Sequence, residues 1–290
     1  MAKDTAIGPV SLQYQSSGSD AVATTKSRIA EFNVGEIASD AWVVILAGGM
    51  GTRLAEKSQQ LIPKPMLEVG GVPMLEHIMR IYSAQGLRRF IIATGHKREV
   101  IEEWVSVGMA SGTISEYADE VLAVDTGEDA QTAGRLLRLA EYLKDAPFFL
   151  TYGDGFADVN IRMLVDHHRG LKQPGLRKPT VTLTAVHPPA RFGNLVLESG
   201  RAVSFGEKTQ SATDWINGGF YVMEPSILNL ISGDDSRLEY DVLPALAIQK
   251  RVGAYQHPGF FQMVDTARDL TLVNQMVETN RAPWMIWGSD

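Results

Sequence analysis

An α/β fold, with a mostly parallel sheet covered by helices, is what this 290-residue sequence predicts. Short, apolar, β-branched runs end at glycines or turn residues and read as buried strands. Segments with apolar residues at helical spacing lie between them. The two kinds alternate from Trp42 onward, and a βαβ rhythm implies parallel strands joined by crossover helices.

Residues 1–40 stand apart from that rhythm. Ser16-Ser17-Gly18-Ser19-Asp20 is flexible in composition, and Ala21 to Ser39 has little periodicity. They read as a flexible N-terminal extension, or alternatively as an arm, helical around Thr25 to Phe32, that docks on a partner subunit. Residues 41–290 form the folded domain. Val43 to Leu46 is its first strand. Pro73 to Gln85 places Met74, Leu75, Ile78, Met79 and Tyr82 on one helical face, with proline in the first turn. Phe90 to Thr94 is a strand, Arg98 to Val107 a helix, Thr132 to Tyr142 a helix, and Pro147 to Thr151 a strand. After Lys178 the texture becomes β-rich, with strands at Thr180 to Val186, Leu195 to Leu197, Ala202 to Phe205 and Ile216 to Met223. Helices return at Pro225 to Ile231, Glu239 to Gln249 and Thr266 to Glu278. This second part is expected to extend the same sheet and build a substrate lobe. Lys172 to Pro179 reads as an exposed loop.

Composition narrows the function classes. The formal net charge is −7 and the pI about 5.4, which argues against a surface that coats nucleic acid. With no cysteine, disulfides, thiolate metal sites and cysteine nucleophiles are excluded. No run of eighteen apolar residues predicts a membrane span, and the N-terminus lacks an apolar signal core. A cytoplasmic, membrane-free protein is compatible with all of this.

The first strand stops at Gly48-Gly49-Met50-Gly51-Thr52-Arg53, and Pro63-Lys64-Pro65-Met66 follows. Glycines allow positive φ and close approach to a ligand, so successive backbone N–H groups can line an anion-binding concavity. The spacing matches neither the dinucleotide fingerprint nor a P-loop. Arg53 offers a planar fork suited to phosphate oxygens. Lys64 offers a point charge on a backbone restricted by its two prolines. Glycines alone would favour a bare strand-to-helix turn. Glycines, arginine and proline-framed lysine together favour phosphate.

Two carboxylates stand at strand ends. Asp154, in Tyr152-Gly153-Asp154-Gly155, follows an apolar strand, where ligands of open α/β sheets gather. A metal ligand is favoured there over a surface turn. Asp265 precedes the Thr266 helix, and its residues leave a metal ligand and a helix cap evenly matched.

The run Leu46-Ala47-Gly48-Gly49-x-Gly51-Thr52-Arg53-Leu54 with Pro63-Lys64-Pro65-Met66 resembles the signature of the sugar-1-phosphate nucleotidylyltransferase family. Further motifs occur in order: Asp125-Thr126-Gly127, Gly134-Arg135-Leu136, Thr151 to Gly155, Arg191-Phe192-Gly193, Ile216 to Phe220, His257 to Phe260 and Ala282-Pro283-Trp284. They are similar to those of the branch that acts on CTP and glucose 1-phosphate, and cover Trp42 to Trp287. The resemblance implies a three-layer, Rossmann-like nucleotidyltransferase fold with a smaller β-rich sugar-binding lobe. It implies residues 41–290 as the catalytic domain, Mg²⁺ as cofactor, CTP and a sugar 1-phosphate as substrates, and a homo-oligomer. It assigns Gly48, Gly49, Gly51, Thr52 and Gly134 to the nucleotide, and Arg53 and Lys64 to phosphate neutralisation. Lys208 goes to the sugar phosphate, Glu207, Asn217 and Gly193 to the sugar wall, and Asp154 and Asp265 to the metal. Ala133 and Thr209 depart from the pattern, standing where a second glycine and a proline are usual. UTP or dTTP in place of CTP, or a catalytically silent nucleotide-sugar-binding regulatory paralogue, are the competing implications. Gly153-Asp154-Gly155 disfavours a glycosyltransferase with an Asp-x-Asp motif.

The histidines need no catalytic role. His167-His168 is expected on a solvated helix face, and His77 packed near the nucleotide region or partly exposed. The Trp284 to Trp287 aromatics are expected to pack, at a subunit contact as one option.

Overall fold

The structure is a computed structural model that describes residues 40–49, 62–171, 177–189, 194–198, 201–206 and 214–287. Residues 1–39 of the N-terminal extension lie outside the described residues, as do Gly51, Thr52, Arg53, Gly193, Glu207 and Lys208, and part of the Lys172 to Pro179 loop.

The first half alternates as its periodicity predicts. Strand β1 (Trp42–Leu46) is followed by the 3₁₀ turn Lys64–Met66, a small β2 (Glu68–Val69) and β3 (Val72–Pro73) hairpin, and α1 (Met74–Ser83). Then come β4 (Arg89–Thr94), α2 (Arg98–Ser111), β5 (Glu120–Asp125), α3 (Thr132–Arg138), α4 (Ala140–Leu143) and β6 (Phe148–Tyr152). The second half holds β7 (Gly155–Ala157), α5 (Ile161–Gly170), β8 (Val181–Val186), β9 (Asn194–Glu198), β10 (Arg201–Gly206), β11 (Ile216–Asn217) and β12 (Tyr221–Met223). It ends with α6 (Leu243–Ile248), β13 (Val252–His257), β14 (Phe261–Met263) and α7 (Ala267–Glu278).

One sheet joins both halves, in the order β13-β8-β12-β6-β1-β4-β5, with β11 continuing beside β8 next to β12. β1 pairs in parallel with β4 and β6, and β4 with β5. Only the β11–β12 strand of this sheet runs antiparallel to its neighbours. The β1 run is continuous rather than alternating in polarity because both faces are covered. Val43 and Ile45 enter one apolar core with α1, α2, α5 and Val273 of α7. Val44 enters the other, with α3, Leu143 of α4 and α6. The result is the expected three-layer α/β arrangement, with β9–β10, β7–β14 and β2–β3 as small additional sheets. Among the described residues no helix is long and apolar enough to cross a membrane.

Several boundaries differ from expectation for identifiable reasons. α2 runs past Val107 to Ser111, because its stop signal is Gly112, in the left-handed conformation at φ 85°. Gly108 inside it lies against the Ile114 side chain, which would have to shift to admit a Cβ. The helix expected over Thr132 to Tyr142 is two, broken at Leu139 where i→i+3 bonds replace the α ladder. The expected helix Pro225 to Ile231 is a 3₁₀ turn over Pro225–Leu230. That expected over Glu239 to Gln249 opens as a π turn, Leu238–Val242, before α6, whose first turn holds Pro244 with no N–H to donate. The strand expected over Ile216 to Met223 is interrupted at Gly218-Gly219-Phe220. Gly219 and Phe220 there take positive φ, 76° and 46°.

The histidine and tryptophan expectations are corrected in part. His168 does not lie on a solvated face. It is buried, with Nδ1 2.7 Å from Thr182 Oγ1 and Nε2 3.2 Å from Glu224 Oε1. Trp284 is packed inside the chain rather than at a subunit contact, stacked 4.8 Å from Phe156 and fully buried. Its indole N–H donates to His77 Nδ1, while His77 Nε2 lies 2.8 Å from the Val69 carbonyl and donates to it.

Burial holds His77 neutral, its pKa below the ordinary 6.5. The unfolded chain therefore binds the extra proton first, and stability falls as pH drops below about 6.5. Between pH 7 and 5 the urea midpoint of the wild type is expected to fall more steeply than that of His77→Phe. Parallel slopes would remove His77 from the acid response.

Candidate active site

The site residues collect at the carboxyl edge of the parallel strands. From β1 the chain passes on one side to β4 and β5, and β6 lies on the other. Ligands of open α/β sheets bind at such a switch point. Gly48 and Gly49 follow β1, Thr94 ends β4, Asp125 ends β5, and Asp154 follows β6.

Lys64 reaches this edge from the proline-framed segment. Met66 N–H donates to the Pro63 carbonyl and Leu67 N–H to the Lys64 carbonyl, closing a 3₁₀ turn. Pro65 packs on Gly153, where a Cβ would stand 2.7 Å from Pro65 Cγ and 2.8 Å from the Leu46 carbonyl oxygen. Gly153 is therefore the residue that lets the two segments meet.

Lys64 Nζ stands 2.6 Å from Asp154 Oδ2 and 2.8 Å from Asp265 Oδ1. The two carboxylates arrive together because β7 and β14 pair antiparallel, Gly155 opposite Met263, and Val264 N–H donates to the Asp154 carbonyl. The helix cap falls to Thr266 rather than Asp265. Thr266 caps α7, its hydroxyl accepting from Asp269 N–H, and Asp269 returns bonds to the Thr266 and Asp265 backbone. The Asp265 side chain, which the cap does not use, faces Lys64. Burial pushes the Asp154 carboxyl upward, opposed by the Lys64 ammonium and raised further by Asp265.

These donors fit a hard divalent ion. Two carboxylates, held at the ends of one β ladder, already share a cationic group between them. Mg²⁺ takes one or two carboxylates and completes its shell with phosphate oxygens and water. Among the described residues no cluster of three or more His, Asp or Glu side chains suited to a metal exists, so substrate and water would supply the other ligands.

Arg135 is the functional-looking residue that spacing and composition did not single out. Its guanidinium is buried and donates five hydrogen bonds, to the carbonyls of Thr94, Gly127, Gly48 and Glu128 and to Thr126 Oγ1. It ties the ends of β1, β4 and β5 together. Gly48 must be glycine because a Cβ there would stand 2.1 Å from Arg135 Nη1. The neighbouring Gly134 packs against the Asp234 backbone, whose carbonyl oxygen lies 2.2 Å from its would-be Cβ. That close approach is itself a reason for glycine here. The signal available in the sequence was an arginine inside an otherwise apolar helix face, Ala133 to Leu136.

Asn217 ends β11, and antiparallel register carries it toward the same edge as Asp154, since Tyr221 of β12 stands opposite Leu150 of β6. The structure thus brings together Gly48, Gly49, Lys64, Asp154, Asp265 and Asn217 at this edge.

Comparison with known proteins agrees with this geometry. The nucleotidyl transferase family profile matches residues 42–269. The glucose-1-phosphate cytidylyltransferase of Salmonella typhi is 42% identical over 260 residues, 84% of this chain and 98% of that protein. The probable glucose-1-phosphate cytidylyltransferase of Bacillus subtilis is 34% identical over 259 residues, 84% of this chain and 99% of that protein. Among solved structures, HddC from Yersinia pseudotuberculosis superposes with a TM-score of 0.60 at 24% identity, covering 82% of this chain and 99% of that one, and it shares the fold. Family profile, relatives and fold converge on one statement: the chain belongs to the nucleotidyl transferase family.

Proposed function

We propose that the chain transfers the cytidylyl group of CTP to α-D-glucose 1-phosphate, giving CDP-glucose and pyrophosphate with Mg²⁺ as cofactor. The observation that carries this reading is the Lys64 ammonium held by Asp154 and Asp265 at the switch point of the sheet. The relatives at 42% and 34% identity supply the choice of base and sugar.

The phosphate of glucose 1-phosphate is already an anionic nucleophile at neutral pH. No general base is needed, and the task is to align two anions and offset their repulsion. A phosphate oxygen attacks the α-phosphorus of CTP in line, the α–β bridging bond breaks, and pyrophosphate leaves. Gly48 and Gly49, with Gly51 and Thr52, receive the triphosphate through backbone donors. Arg53 and Lys64 neutralise it and the leaving pyrophosphate. Arg135 holds the Gly48 carbonyl and so fixes the start of that loop. Lys208 binds the sugar phosphate, and Glu207, Asn217 and Gly193 form the sugar wall. Asp154 and Asp265 hold Mg²⁺, which supplies charge neutralisation at the α-phosphate when bound. Assembly as a homo-oligomer belongs to the same reading and is read out by light scattering.

The test is a grid of CTP, UTP, dTTP and GTP against glucose 1-phosphate and mannose 1-phosphate, with pyrophosphate release measured. CTP with glucose 1-phosphate is expected to give the highest kcat/KM by about 100-fold or more, the range open to a site that hydrogen-bonds its substrate. Turnover with UTP or dTTP and none with CTP would overturn the base. No turnover in any cell of the grid would leave a nucleotide-sugar-binding protein without catalysis.

A further inference from the structure

A chain of polar groups runs inward from Asn217, and beyond Asn217 none of them has a part in the reaction just described. The Asn217 amide Nδ2 donates to the Tyr221 hydroxyl at 2.5 Å. The Tyr221 and Tyr152 hydroxyls are 2.7 Å apart, and Tyr152 donates to Glu239 Oε1 at 2.6 Å. The other Glu239 oxygen accepts from Thr132 Oγ1 at 2.8 Å, and that hydroxyl accepts from Leu238 N–H. The segment is closely fitted: Gly219 carries no Cβ, and one there would stand 2.9 Å from Tyr152 Cδ2.

The proton directions in this chain are determined by its end. An ionised carboxylate only accepts, so the single hydroxyl proton of Tyr152 goes to Glu239. Tyr152 can then only accept from Tyr221, and Tyr221 can only accept from Asn217. Burial raises the pKa of Tyr221, so it keeps its proton and donates it along the chain of hydrogen bonds. At the far end Gly219 N–H donates to Asn217 Oδ1 at 3.1 Å. A flipped Asn217 amide would set its oxygen against a Tyr221 hydroxyl that has already given its proton, and its NH₂ against a backbone N–H. Both bonds would be lost. Among the described residues the second Asn217 N–H meets no acceptor, and the bonds on either side fix its heading.

We propose that Glu239 is a positioning residue for the sugar phosphate. Acting through Tyr152 and Tyr221, it holds the Asn217 amide in the one orientation that presents this N–H to a sugar or phosphate oxygen. The inference rests on the reading of Asn217 as part of the sugar wall. It adds a specificity role for a residue far along the chain, at the start of a π turn.

The experiment measures pyrophosphate release by the full chain with each substrate varied in turn, for Asn217→Ala, Glu239→Leu, Tyr152→Phe and Glu239→Gln. Thermal unfolding is recorded for each variant. The first three are expected to raise KM for glucose 1-phosphate about tenfold, the size of one lost oriented hydrogen bond, and to move KM for CTP less than about twofold. Glu239→Gln is expected to recover most of the loss, because an amide carbonyl still accepts the Tyr152 proton. If Asn217→Ala raises the sugar KM while Glu239→Leu and Tyr152→Phe do not, the inference falls and the sugar-wall reading stands. If Asn217→Ala leaves the sugar KM unchanged, both fall. A rise in both KM values together, or Glu239→Gln as impaired as Glu239→Leu, marks a merely structural role and overturns the inference. Should Glu239→Leu fail to fold, Tyr152→Phe decides alone.

Discussion

Asp154→Ala and Asp265→Ala are each expected to lower kcat by about a thousandfold or more, the scale seen when a group that stabilises transition-state charge is removed. Neither is expected to unfold the chain. The backbone around each aspartate is secured independently of its carboxylate: the Asp154 carbonyl accepts from Val264 N–H, and Asp265 N–H donates to Asp269, which also completes the α7 cap. With one carboxylate gone, Lys64 loses one of its two carboxylate partners among the described residues, and the proposed Mg²⁺ would lose one of two protein ligands. The groups act as a unit, so the double variant is expected to be little worse than either single one. Pyrophosphate release under saturating CTP, glucose 1-phosphate and Mg²⁺ gives the rate, and circular dichroism with a thermal melt reports the fold. Either variant turning over like wild type would remove that aspartate from the metal assignment.

Arg135→Leu is the second large effect, and it acts on stability as well as rate. The guanidinium is buried, and its removal leaves the carbonyls of Thr94, Gly127, Gly48 and Glu128 and the Thr126 hydroxyl without this donor. Losing one side of such a buried charged network destabilises by about 3–5 kcal/mol. Burial lowers the Arg135 pKa, but a guanidinium starts so high that it keeps its charge. Arg135→Lys is expected to recover only part of the stability, since an ammonium cannot span carbonyls from three strand ends as a planar fork does. Urea unfolding measures both variants. A midpoint within error of wild type for Arg135→Leu would show that these contacts carry no net stability. The catalytic loss should follow the loosened Gly48 loop and appear chiefly in KM for CTP.

Most of the frame was legible because apolar periodicity and glycine stops are local signals. Val43 to Leu46 could be assigned as a buried strand from four letters of sequence. The breaks in helix and strand were not legible, because their causes are tertiary. Leu139 kinks a helix that propensity alone would continue. Gly218 to Phe220 interrupt a strand so that Gly219 can sit on the Tyr152 ring. His168 was misplaced for the same reason: its helix is amphipathic, and the partners that bury it, Thr182 and Glu224, lie on other elements.

The site was legible to a different depth at each residue. Lys64 and Asp154 stood out by composition, framed by prolines and glycines. Asp265 was ambiguous until the structure showed Thr266 taking the cap. Arg135 carried only a weak signal, a charge on an apolar face, and its five acceptors come from segments far apart in sequence. Glu239 carried none, because its neighbours Tyr152 and Thr132 meet it only through folding.

The β7–β14 ladder has a bearing on how the protein is made. Asp154 leaves the ribosome long before Asp265, and the pairing of Gly155 with Met263 must wait until β14 has been made. A nascent chain that already has β1, β4, β5 and β6 still lacks the second of the two carboxylates that meet Lys64. The paired-carboxylate arrangement is therefore acquired late in translation, after the parallel strands that present Asp154.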